Sequence, residues 1–77
     1  MKNVAEIKAR ADKVEVHGSR HGCFVLNPPV VLVLRSTGQV VHANSVDETG
    51  KYKGTVHTQE LGFWRPVEQF DFPPIDN

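Results

Sequence analysis

A single cysteine, Cys23, stands among the 77 residues. No intramolecular disulfide can therefore form, and no Cys-x-x-Cys pair exists to hold a structural zinc. Long apolar runs are missing as well. The longest stretch falls far short of the ~20 residues a membrane-spanning helix needs, and Met1-Lys2-Asn3-Val4-Ala5-Glu6 has no apolar signal-peptide core. The expectation is a soluble, cytoplasmic protein with no membrane partner. An excess of either charge is also missing, since nine Lys/Arg balance nine Asp/Glu. That balance argues against a chain whose main task is to grip nucleic-acid phosphate. The basic residues do lean toward the first half and the acidic ones toward the second, but on a small folded domain the halves interleave. Internal repeats and low-complexity tracts are absent. A single domain of this length buries only about 60% of the surface its unfolded chain exposes. Its stability must come from a small core or from association, and a homodimer is expected.

What the sequence does have is Val30–Asn44, VVLVLRSTGQVVHAN. It reads as a β-hairpin, because β-branched residues fill both arms and Gly38 sits where a tight turn needs a positive φ. A two-residue loop at Thr37-Gly38 pairs Leu34 with Val41 and Leu32 with Ala43 on a wholly apolar face. The opposite face then carries Val33 against His42, Arg35 against Val40 and Val31 against Asn44. A three-residue loop would move one arm to the other face. Burying Arg35 or His42 unpaired is costly, so each is expected to find a partner or solvent. Five successive apolar residues, Val30 to Leu34, point to a central strand covered at least partly on both sides.

Residues 3–12 read as a helix. Asn3 and Glu6 have the spacing of a capping box, Val4, Ile7 and Ala11 share a face, and Lys2, Lys8 and Arg10 look outward. So short a helix must dock on something apolar, and the hairpin's apolar face is its expected partner. Residues 13–70 read as a sheet or barrel. Lys13–His17 alternates as a half-buried strand, Gly18-Ser19-Arg20-His21-Gly22 makes a turn, and Cys23–Leu26 is a short apolar strand. Asn27-Pro28-Pro29 is expected to end that strand, since proline has no N–H for a ladder. Ser45–Gly54 reads as an exposed loop with Tyr52 as its one large ring and Asp47 and Glu48 as solvated charges. Thr55–Leu61 reads as a polar edge strand, and residues 71–77 as an extended tail that Phe72 or Ile75 could pin to the body. The whole, residues 1–77, is one mainly β (α+β) domain. It is either a small, strongly bent antiparallel sheet or an SH3-like barrel of about five strands, with one short N-terminal helix.

The run Arg65-Pro66-Val67-Glu68-Gln69-Phe70 behind the Phe63-Trp64 pair resembles the Trp-x-Arg-Pro-x-x-x-Phe ending of some small uncharacterised bacterial and phage SH3-like domains. The aromatic spacing differs. The resemblance spans Phe63–Phe70 and implies a fold but no activity.

His17, His21 and Cys23, with His42 or His57 as a fourth, are the ligand types to weigh for a metal. Their spacing matches no zinc module, and Cys23 opens an apolar run, where a thiol packs as a small hydrophobe. No metal or cofactor is expected. Cys23 with a histidine lacks an orienting group, oxyanion donors and a substrate pocket, and Glu60 with Glu68 makes no better pair, so no enzyme is expected. Lys51-Tyr52-Lys53 has the composition to stack a base and hold its phosphates, which makes a weak nucleic-acid-binding SH3-like domain the alternative function. Protein binding leads, because Trp and Arg dominate interface hot spots and Phe63, Trp64 and Arg65 are adjacent. Neighbouring strand residues point to opposite faces, so only one of Phe63 and Trp64 fits a core. Arg35, His42 and Tyr52 complete the candidate surface. The expected function is a small non-enzymatic protein-interaction module, of the kind a phage or bacterial accessory or inhibitor protein provides. It would bind a larger complex, a protein partner or a second copy of itself.

Overall fold

In the computed structural model, residues 3–18 and 20–74 are described. The expectations that touch Lys2, Ser19 and Ile75 lie outside them. Among the described residues the chain is mainly β, a six-stranded antiparallel sheet with one short α-helix. The sheet is open rather than closed into a barrel. The strands run β1 (Lys13–Val16), β2 (Cys23–Leu34), β3 (Val40–Asp47), β4 (Thr55–Thr58), β5 (Trp64–Pro66) and β6 (Phe70–Asp71), and they lie side by side in the order β1-β2-β3-β4-β5. β6 pairs with the far end of β2.

The hairpin of β2 and β3 is the frame. Its ladder sets Val30 against Ala43, Val31 against His42, Leu32 against Val41 and Val33 against Val40. That is two positions from the expected register, with Arg35–Gly38 as the loop. Arg35 is therefore not opposite Val40; its N–H donates instead to the Gln69 carbonyl at 2.9 Å. A shift of two keeps every side chain on its face. Leu32, Leu34, Val41 and Ala43 are all buried as expected, and Val30 joins them. The Leu34 carbonyl accepts the Gly38 N–H at 2.7 Å, and Gly38 takes φ +75° to close the loop.

β2 passes through Asn27-Pro28-Pro29 without ending, contrary to expectation. The β3 ladder slips between Val25 and Val30, so both prolines stand in a bulge where no ladder N–H is required. The Asn27–Pro28 peptide is cis. β4 is another correction. It lies inside the sheet, flanked by β3 and β5, and buries Val56 and Thr58. Its polar composition hid this, because Thr58 is a buried hydroxyl that accepts the Leu61 N–H at 3.2 Å.

The helix α1 spans Val4–Ala9, shorter than the 3–12 expected. Its capping box is complete, with the Glu6 N–H donating to Asn3 Oδ1 at 2.9 Å and the Asn3 N–H donating to Glu6 Oε1 at 3.0 Å. Val4 and Ile7 are buried in one cluster with Leu26, Leu32, Val41, Val46, Val56, Val67 and Phe70. β1 is exposed at all four positions rather than half-buried, with Val16 66% exposed. At the other terminus Phe70 is fully buried and Phe72 packs against the core beneath the Arg10 guanidinium, 3.5 Å from its ring centroid.

Candidate functional site

The β4–β5 ladder places Trp64 directly opposite His57. Opposed residues share a face, and this is the outer one, because the next pair along, Val56 with Arg65, carries the buried Val56. Trp64 is half-buried, its ring centroid 5.4 Å from the His57 imidazole at a tilt of 54°. His57 is held in turn by Asn44, whose Oδ1 lies 2.8 Å from its Nδ1. Arg20, from the turn between β1 and β2, sets its guanidinium 5.0 Å from the Trp64 ring centroid and 5.5 Å from that of Tyr52. Both distances are in cation–π range.

What holds Arg20 and Tyr52 in place is Asp47, which the sequence suggested to be solvated and which is fully buried. Its Oδ1 accepts the Gly50 N–H at 2.6 Å, its Oδ2 accepts the Tyr52 N–H at 2.8 Å, and the Arg20 guanidinium stands 4.0 Å away. The β3–β4 loop is thereby folded onto the β1–β2 turn, where the Glu48 N–H donates to the Gly22 carbonyl at 2.8 Å. The fit is close: a Cβ on Gly50 would stand 2.5 Å from the His21 carbonyl oxygen. The sequence carried a signal for this, since Asp47-Glu48-Thr49-Gly50 has the spacing of an Asx-capped turn. It did not reveal that the carboxylate would be enclosed.

The six candidate residues fall in three places. Tyr52 and Trp64 meet through Arg20, Phe63 is 72% exposed at the residue before Trp64, and neither Phe63 nor Trp64 belongs to the core cluster. Arg65 and Arg35 instead line a cleft of about 360 Å³ with Ser36 and Gln69. There Arg35 grips Asp71 in a bidentate pair at 3.0 and 2.9 Å, and Arg65 donates to Gln69 at 3.3 Å. His42 stands apart. Glu60 takes its ring Nδ1 at 2.6 Å and its backbone N–H at 2.7 Å. Both Arg35 and His42 have thus found partners, as their place on the mixed face demanded.

Burial pushes the Glu60 carboxyl upward, but the hydrogen bonds from the His42 ring and backbone outweigh it and hold the carboxyl below its ordinary value of 4.5. A carboxylate whose folded pKa is depressed adds stability above its unfolded pKa and loses it as pH falls through the folded one. The urea midpoint should therefore fall as pH drops below 4.5, and Glu60→Gln should flatten that limb. An unchanged acid limb in Glu60→Gln would show that the pair contributes nothing.

The Cys23 thiol is buried, and burial is the main cause that pushes its pKa above the ordinary value. Among the described residues no three His, Cys, Asp or Glu side chains gather as a metal site. No helix is long and apolar enough to cross a membrane. The arrangement offers an aromatic–guanidinium surface of Trp64, Arg20 and Tyr52, suited to holding another surface by stacking and burial. The chain matches no family model, no curated protein and no solved structure.

Proposed function

We propose that this protein is a non-catalytic interaction module that docks a protein partner on the outer face of β4 and β5, around Trp64. The observation that carries this is the half-buried Trp64 with Arg20 on its ring and Tyr52 and Phe63 exposed alongside. Rings and a guanidinium left at a surface are the residue types that dominate interface energetics, and Asp47 holds Arg20 and the Tyr52 backbone while His57 packs on Trp64. Pre-organised anchors lose little entropy on binding. The role of an accessory or inhibitor protein acting on a larger complex fits a module of this size.

The test is affinity capture from host lysate followed by titration of the recovered partner. Trp64→Ala should weaken that partner by about 30-fold, the effect of removing a hot-spot tryptophan. Unchanged affinity with the fold intact would exclude the surface. A single-stranded oligonucleotide retarded at low salt, through Lys51, Tyr52 and Lys53, would favour nucleic-acid binding instead.

A further inference from the structure

The opposite edge of the sheet carries a second surface, independent of Trp64. β1 is bonded to β2 on one side only, and among the described residues nothing pairs with its outer side. The His17 N–H donates to the Cys23 carbonyl at 2.8 Å, which extends the rungs Glu15–Val25 and Lys13–Asn27. In an antiparallel ladder alternate residues point their main-chain groups to alternate sides. Lys13, Glu15 and His17 therefore face β2, whereas Val14 and Val16 aim their N–H and C=O groups outward. The edge is short and carries Lys13 and Glu15, but it has neither proline nor bulge, and Val14 and Val16 are 36% and 66% exposed. β5, at the other end, closes on Pro66.

Lys13 and Glu15 share one face, as their 3.0 Å ion pair shows. A two-fold axis perpendicular to an antiparallel pair must pass through a residue, so the choices for β1 against itself are few. An axis on Lys13 sets two lysines face to face, and an axis on Glu15 sets two glutamates face to face. An axis on Val16 runs the strand into the Gly18 turn. An axis on Val14 alone puts Lys13 opposite the second copy's Glu15, and Glu15 opposite the second copy's Lys13. That same axis makes Val14 a hydrogen-bonded pair with its own counterpart through groups that already point outward. It also sets Val16 opposite the second copy's Asp12 and diagonal to its Val14, on the face that carries Leu26 and Phe24.

We infer that the chain forms an isologous dimer by antiparallel pairing of β1 with the β1 of a second copy, with Val14 on the two-fold axis. Charge complementarity selects this register, and the edge supplies its hydrogen bonds. The dimer extends the sheet across both copies and leaves both Trp64 surfaces free.

Sedimentation equilibrium tests it. Val14→Pro removes an N–H that the monomer does not use, in an extended segment that tolerates proline, and should raise the dimer Kd by about 30-fold or more with the circular dichroism spectrum unchanged. Lys13→Glu, or Glu15→Lys, should raise Kd about tenfold, and the double swap should restore it. The double swap carries the test should Val14→Pro fail to fold. Amide exchange at Val14 and Val16 should slow with concentration. A wild-type protein that stays monomeric at millimolar concentration, or a dimer indifferent to both sets of variants, overturns the inference. Trp64→Ala should leave the dimer unchanged, so this result and that of the partner titration are separable.

Discussion

Phe70→Ala is expected to lower stability by about 3–5 kcal/mol, the usual cost of emptying a phenylalanine site in a core that cannot collapse around it. Phe70 is fully buried and is the largest such side chain among the described residues. It sits opposite Leu34 in the β2–β6 ladder and in the same cluster as Ile7, Leu32 and Val41. It thus binds the C-terminal segment, the hairpin and the helix together at once. A domain of this length has roughly 4–12 kcal/mol in all, so the variant should be largely unfolded or show a urea midpoint lower by more than about 2 M. A variant with an unshifted midpoint would mean that β6 is no part of the cooperative unit. The exposed Phe63 is the natural control, since Phe63→Ala should change stability by less than about 0.5 kcal/mol.

Asp47→Ala should come close behind, at about 3 kcal/mol, by a different mechanism. No cavity of consequence forms. Instead the Gly50 and Tyr52 N–H groups lose their shared acceptor, and Arg20 loses the buried charge beside it. Each enclosed donor left unpaired costs about 1–3 kcal/mol. Asp47→Asn keeps one acceptor and removes the charge, so its loss should fall between those of wild type and Asp47→Ala. Urea unfolding gives the magnitudes, and amide exchange at Gly50 and Tyr52 should accelerate before that of Val41 and Val56. Equal exchange at all four would place the loss in the whole fold rather than in the loop.

Much of the frame was legible from the residues. The capping box of Asn3 and Glu6 could be read because it is local, needing only a spacing of three. The faces of the hairpin could be read because they depend on parity, so Leu32, Leu34, Val41 and Ala43 point inward in the expected and the observed register alike. The register itself depended on Arg35 finding the Gln69 carbonyl, a contact set by the return of the C-terminal segment. The continuity of β2 through Pro28 and Pro29 was hidden in the same way, because a bulge is permitted only by what its neighbours do not require. Val14 and Val16 alternated like a half-buried strand, but the helix packs with the hairpin and leaves both valines exposed.

The site was legible in its residue types and not in its assembly. Trp64, Phe63 and Tyr52 stood out as surplus aromatics. Nothing local joined Tyr52 to Trp64, because the link runs through Arg20 and through a carboxylate whose burial depends on two loops closing on each other. Arg65 is adjacent to Trp64 in sequence yet belongs to the cleft with Arg35, since successive strand residues face opposite ways.

On the proposed reading, function lies on the outer face beside Trp64 while the helix side serves as scaffold. Site-specific photo-crosslinking tests it most directly, with p-benzoylphenylalanine placed in host cells at Phe63 or, as the control, at the exposed Ala9. A discrete covalent adduct with one partner protein is expected from position 63, lost when Trp64→Ala is added, and none from position 9. An adduct from position 9 with none from position 63 would contradict it.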